Sequence, residues 1–210
     1  MSSRSRFVPP WRGLSVLLLV ACAPLLAARG LAVPARAPDG AGLVDQAGRP
    51  FALGALAGRT VVVHFVFTQC SSTCPIQTQA LRRVRESLPP ELAERVAFVS
   101  LSLDPAHDSP RTLARFARRH GIDVPGWWLV TGSEDALGAL ARAFRVDARV
   151  GADGQIAHRD AVHLLDARGR PVQTYAGPVP DSARLAREIE RVDALFASDT
   201  GSGQRLAGGR

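Results

Sequence analysis

The sequence predicts an α/β fold: a mixed central sheet with helices on both faces, preceded by a β-hairpin. Three observations predict it. Apolar, β-branched runs at Thr60–Phe67, Val96–Leu103 and Trp128–Thr131 alternate with segments whose apolar residues recur at helical spacing. A second hairpin pattern and a last helix follow them. A dithiol, Cys70-Ser71-Ser72-Thr73-Cys74-Pro75, falls where the first long strand ends, and sites in such sheets collect beyond the carboxyl ends of strands.

Each element has its own signal. Residues 39–58 are rich in Gly and Ala, and Asp45-Gln46-Ala47-Gly48-Arg49-Pro50 reads as the turn of the leading hairpin. After the Thr60–Phe67 strand, Pro75 suits the first position of a helix. Ile76, Ala80, Val84 and Leu88 then recur every fourth residue, and Pro89-Pro90 stops the run. Ser109-Pro110 caps a helix with Leu113, Phe116 and Ala117 inward, closed by His120-Gly121. Ser133 caps the next, where Leu137, Leu140, Ala141 and Phe144 share a face. Val146 to Gln155, broken by two glycines, is a loop or small hairpin. Ala161–Asp166 and Val172–Tyr175 flank the turn Ala167-Arg168-Gly169-Arg170, and Asp181 opens a final helix with Leu185, Ile189, Val192 and Phe196 on one face. No internal repeat is present.

The chain has 210 residues, of which 38–197 read as one domain, a length that buries a sizeable core. The tail, 198–210, is Gly-rich and polar and reads as disordered. All 26 basic residues are Arg. They are scattered, with no basic stripe interleaved with aromatics, which argues against a nucleic-acid partner. Residues 1–37 read as a targeting segment: Arg4, Arg6 and Arg12 precede an apolar stretch from Leu14 to Ala28, shorter than the ~20 residues of a spanning helix. Leu19-Val20-Ala21-Cys22 resembles a lipobox with Cys22 as the acylated residue. Cleavage after Ala32 and an uncleaved anchor are the alternatives. In each case the domain is exported to the periplasmic side of the membrane, and only Cys70 and Cys74 remain in it, too few for a disulfide scaffold.

Two thiols at the mouth of a helix form a soft, readily ionised pair, able to hold a thiophilic metal or to cycle between dithiol and disulfide. A structural bridge between them would close a tiny loop and remove little unfolded-state entropy. The helix N-terminus offers unpaired N–H groups and a positive dipole end, which predicts thiolate character at Cys74. The order of elements, with a dithiol at the end of the first long strand, is the thioredoxin-like arrangement.

Here the chain resembles the Sco/SenC family of thioredoxin-like copper proteins over about Gly42 to Phe196. Phe65-Val66-Phe67-Thr68-Gln69-Cys70-Ser71-Ser72-Thr73-Cys74-Pro75 is similar to the family's strand and CxxxCP motif. Ser102-Leu103-Asp104-Pro105-Ala106-His107-Asp108-Ser109-Pro110 resembles its S-x-D-P-x-x-D-[ST]-P loop. Trp127 to Gly132 resembles its W-x-x-L-T-G segment, and His158 falls where the family has its ligand histidine. There are departures: Ser71 for the usual Pro, Val130 for Leu, Ala157 for Asp, and His163 for a Tyr.

The resemblance implies one copper held by Cys70, Cys74 and His158, and delivery to a cuproprotein acceptor such as the binuclear copper site of a cytochrome oxidase. A Cys2His set suits that cargo, because thiolate favours Cu(I) and imidazole serves both oxidation states. The competing reading is a thiol–disulfide reductase acting on an acceptor's cysteines, in which Cys70 and Cys74 are the redox pair and His158 is idle. A peroxidase on the same fold is a more remote third reading. Among other residues, His163 reads as a packed strand residue or a neighbour of the site. Asp104, His107 and Asp108 shape the turn before Pro110, with Asp104 the one nearest to supporting the site. His64, His120, Trp127 and Trp128 read as packing residues.

Overall fold

The computed structural model describes residues 42–151 and 155–207, with side chains through Phe196. The targeting segment and Cys22 lie outside the described residues. β1 (Leu43–Asp45) and β2 (Pro50–Phe51) pair antiparallel as the leading hairpin. Asp45 closes its turn, accepting from the N–H groups of Ala47 and Arg49 at 2.9 Å. Burial raises the Asp45 carboxyl, but these bonds and the Arg49 guanidinium outweigh it and hold the group below the usual carboxylate range.

β3 (Val61–Val66), β4 (Ala97–Ser102) and β5 (Trp127–Gly132) run parallel, each within a residue of the apolar run that predicts it. β8 (Ala161–Leu165) returns antiparallel beside β3, and β9 (Pro171–Ala176) completes the edge. The sheet order is β2-β1-β5-β4-β3-β8-β9, so β3 lies inside it with partners on both sides. At the other edge β1 packs so closely on β5 that a Cβ at Gly132 would meet the Gly42 carbonyl at 2.7 Å.

On one face lie α1 (Thr73–Ser87), α3 (Pro110–His120) and α5 (Ser182–Ala207), whose Leu81, Val84, Leu113, Phe116, Leu185 and Ile189 close over Val62, Phe98 and Leu164. On the other face a 3₁₀ turn (Leu53–Leu56) and α4 (Glu134–Ala143) cover Val63, Phe65 and Val99. The caps at Ser109 and Ser133 form as the sequence predicts, each accepting from the N–H three residues on. Gly121 ends α3 at φ 66°, a left-handed position that suits glycine.

Three features differ from the sequence reading. α1 begins at Thr73, so Pro75 is its third residue rather than its first, tolerated because the early N–H groups have no intrahelical partner. The buried face is wider than the expected stripe: Cys74, Gln77, Thr78 and Leu81 join Ala80 and Val84 on it, while Ile76 is half exposed. Pro89-Pro90 stops α1 but starts a short helix, α2 (Pro90–Arg95), since proline is well suited to a first helical turn. The last helix, α5, runs to Ala207 with no proline to interrupt it.

Candidate metal centre

Cys70 sits just past β3, where the chain turns and its N–H donates to the Phe67 carbonyl at 3.1 Å. Asp108, fully buried, bolts this turn to the end of β4. Its carboxylate accepts from the Thr68 hydroxyl at 2.5 Å and N–H at 3.1 Å, and from the Ser102 hydroxyl at 2.6 Å. Burial raises the Asp108 carboxyl in spite of these bonds. Asp104 instead accepts from the exposed His107 ring at 2.8 Å, so Asp108 supports the thiol turn and the expectation placed on Asp104 is corrected. The S-x-D-P-x-x-D spacing places both carboxylates in this loop, but only the fold decides which one turns inward.

Both thiols are free and buried among Val66, Phe67, Ile156 and Leu103. The N–H of Cys74 donates to Cys70 Sγ at 3.4 Å, and Ser72 Oγ stands 3.8 Å from the same sulfur. Burial raises the Cys70 thiol, but the Cys74 thiol, the N–H groups of Cys74 and Ser72 and the Ser72 hydroxyl together bring it below its ordinary value. Cys74 goes the other way: burial pushes its thiol up, and the neighbouring Cys70 adds to that. The helix-mouth argument therefore acts on the other sulfur. The N–H groups of the first turn point at Cys70 on the loop, while Cys74, inside the helix, is too deeply buried to benefit.

The pairing of β8 with β3 carries His158 back to this end of the sheet. His158 ends β7 (Ile156–His158), which pairs antiparallel with β6 (Ala148–Val150), so the region expected as a loop or small hairpin is a hairpin with the histidine on its return strand. The ring is 4% exposed. Its Nε2 lies 4.0 Å from Cys74 Sγ and 3.8 Å from Asp160 Oδ1, with the ring edge-on to Phe67 at 6.3 Å. Its Nδ1 is buried with no hydrogen-bond partner among the described residues. No group of three His, Cys, Asp or Glu side chains is already drawn together at metal-binding spacing among the described residues. The imidazole neighbours the Cys74 sulfur, and the Cys70 sulfur accepts from the Cys74 N–H.

The other histidines go elsewhere. His163 lies on the α4 face, its ring 4.9 Å from Phe144, with Nδ1 3.1 Å from Thr174 Oγ1, and among the described residues none of these contacts is with a thiol. Burial lowers its pKa to about 4. His64 lies on the α1 face between Gln77 and Ser100, and burial also takes its pKa to about 4. Sequence reasoning missed Gln77, Asp160 and the dominant role of Asp108. Only Gln77 carried a signal, a polar residue one helical turn from Cys74 on the same face.

Against known proteins, the family model described as SCO1/SenC matches residues 42–193. The SCO1 protein homolog of Bacillus subtilis (strain 168) is 27% identical over 136 residues, which cover 63% of this chain and 70% of that protein. Among solved structures, a SCO1/SenC family lipoprotein from Bacillus anthracis str. Ames aligns with TM-score 0.68 and 26% identity, covering 76% of this chain and 96% of that one. The structure of Bradyrhizobium japonicum ScoI with copper bound aligns with TM-score 0.64 and 22% identity, covering 75% of this chain and 98% of that one. These neighbours share the thioredoxin-like fold.

Proposed function

Because the chain belongs to the SCO1/SenC family, we propose that it is an exported copper chaperone binding one copper ion through Cys70, Cys74 and His158. The observation that carries this is the 4.0 Å approach of His158 Nε2 to Cys74 Sγ across 84 residues of sequence. Bonds of about 2.0 Å to nitrogen and about 2.3 Å to sulfur, meeting at a trigonal angle, put their donor atoms about 3.7 Å apart. The observed gap is near that value. The donor set, two thiolates and an imidazole, is the kind that retains copper through a change of oxidation state. A redox dithiol alone gives no reason for a buried imidazole beside the inner sulfur.

Within this reading the two sulfurs have different tasks. Cys70, on the loop and acidified by the first turn of α1, is the ligand that exchanges first with an acceptor's thiolate. Cys74 and His158, held by helix and hairpin, keep the ion until the new bond has formed. The acceptor is an exported cuproprotein, most simply an oxidase copper site, since this is the Sco family of cytochrome c oxidase assembly proteins. No helix among the described residues is long and apolar enough to cross a membrane. Attachment through residues 1–37, by an anchor or a lipid on Cys22, is part of the proposal.

The test is Cu(I) titration of the reduced protein against a competing chelator. One equivalent binds, and His158→Ala weakens it by at least about tenfold, about 1.4 kcal/mol. Equal affinity in that variant removes His158 from the ligand set.

The opposed shifts of the two thiols favour a second role beside the first. The Cys70 thiolate attacks a partner's disulfide, forming a mixed disulfide and releasing one partner thiolate. Cys74 then loses its proton and attacks Cys70 Sγ, closing the Cys70–Cys74 disulfide and releasing the second partner thiol. Iodoacetamide at neutral pH should modify Cys70 faster than Cys74 by about tenfold or more, read by mass spectrometry of timed samples. Equal rates would leave the reductase role without its nucleophile.

A further inference from the structure

We infer that Gln77 is a positioning residue for the Cys74–His158 pair: its side-chain amide ties the helix carrying Cys74 to the segment that holds His158 in place. The inference rests on the copper reading above and names what sets the gap between two of its three ligands.

Gln77 follows Cys74 by three residues and shares its inward face of α1. It is fully buried, and both ends of its amide are used. Its Oε1 is 3.2 Å from His64 Nδ1, and its Nε2 donates to the Gly177 carbonyl at 3.3 Å. His64 Nε2 in turn is 2.6 Å from Ser100 Oγ, which accepts from the Trp127 indole at 3.0 Å.

Only one arrangement of protons satisfies this row. The indole can only donate and the Gly177 carbonyl can only accept, so Ser100 Oγ accepts from Trp127 and the Gln77 amide nitrogen faces Gly177. Gln77 Oε1 is then the acceptor for the His64 Nδ1–H, and Nε2 of the neutral ring accepts the Ser100 hydroxyl proton. Turning the amide over would set its oxygen against the Gly177 carbonyl oxygen and leave both unpaired, so the orientation follows from the network.

The row ends at the site. Gly177, at φ 104°, has a backbone conformation that side-chain-bearing residues rarely adopt, and it is pinned at both ends. Its carbonyl accepts from Gln77 while its N–H donates to the Asp160 carbonyl at 2.9 Å. The Asp160 carboxylate stands 3.8 Å from His158 Nε2. Cys74 and His158 belong to elements with no sequence-local connection. Gln77 bonds from the first of these elements to Gly177, whose N–H holds the Asp160 carbonyl two residues past His158. A misplacement of about 0.5 Å is enough to spoil a metal-binding geometry.

The experiment compares Cu(I) affinity in the full chain for wild type, Gln77→Met and Gln77→Glu, each with and without His158→Ala. Gln77→Met keeps the volume and removes both bonds; it should weaken binding about tenfold, and that loss should vanish in the His158→Ala background. Gln77→Glu should match Gln77→Met near about pH 8. Its affinity relative to wild type should recover towards about pH 6, where the buried carboxyl takes up a proton and can again donate to Gly177. A loss from Gln77→Met that persists without His158, or a flat Gln77→Glu ratio across pH, overturns the inference; if Gln77→Met does not fold, the Gln77→Glu profile decides. A metal-free readout separates this from failure of the copper reading. The ¹⁵N spectrum of the His158 ring in the apo protein should move in Gln77→Met as it does in Cys74→Ser, and an unmoved ring refutes the positioning role whether or not copper binds.

Discussion

His64 and His163 occupy adjacent strands, one residue apart in the β3–β8 register, and point to opposite faces of the sheet. Burial lowers both to a pKa of about 4, so by charge alone they are alike. Their wiring differs. Both nitrogens of His64 are bonded, and the row it joins runs from β5 through β4 and β3 to α1. His163 has one bond, to Thr174, and its Nε2 is buried without a partner among the described residues, against Phe65 and Phe144. Equal desolvation thus accompanies a connected residue on one face and a packing residue on the other. A pKa shift marks burial; the hydrogen bonds show whether the buried group does anything for its neighbours.

The largest effect that tests this contrast is His64→Leu. It strands the Ser100 hydroxyl and the Gln77 carbonyl oxygen in the core, and each orphan costs about 1–3 kcal/mol, so we expect a loss of about 2–6 kcal/mol in urea unfolding. A change below about 0.5 kcal/mol, the size expected at an ordinary surface position, would mean that the row is not connected as described.

The next effect is shared by both histidines. Each has its folded pKa near 4 and an unfolded value of 6.5, so below pH 6.5 the unfolded chain takes up protons first. Stability is fully present above pH 6.5 and falls as pH drops towards 4. Asp108 opposes this, because its raised carboxyl makes the folded state take up a proton more readily. Asp45 and Asp166, both lowered, lose their contribution only below about the ordinary carboxylate range. Melting temperature measured across that interval should fall on acidification; a flat profile would mean that the two rings are protonated or hydrated in the folded protein.

The smallest effect is His163→Phe. It exchanges one bond to Thr174 for apolar contact with Phe65 and Phe144 and removes an unpaired nitrogen, so stability at neutral pH should change by less than about 1 kcal/mol. The same variant should flatten the acid slope. A large loss at neutral pH would show that His163 is as connected as His64, and the contrast between the faces would fail.

Much of the fold was legible because it is written in short-range pattern. The apolar runs of β3, β4 and β5, the caps at Ser109 and Ser133, and Gly121 after α3 all act within a few residues, which is the range over which propensity and periodicity operate. On α1 the repeat from Ile76 names Ala80, Val84 and Leu88, which are buried, but it includes the half-exposed Ile76 and leaves out Cys74, Gln77 and Thr78; packing against the sheet sets the width of the buried face. The candidate site was legible in part. The motifs name Cys70, Cys74 and His158, but not the strand that presents His158, nor which thiol is acidified.

By itself the sequence determined the alternation of strand and helix, the position of the dithiol at a strand end and the four motifs of the Sco/SenC family in their order. The tertiary structure decided that Asp108 rather than Asp104 secures the thiol turn, that Cys70 rather than Cys74 is the more acidic sulfur, and that Gln77 links α1 to Gly177. These depend on partners 40, 4 and 100 residues apart. In the first and last, chain closure across the sheet brings the partners together. In the second, the partners are near in sequence and depth of burial sets the outcome, which no local pattern of residues encodes.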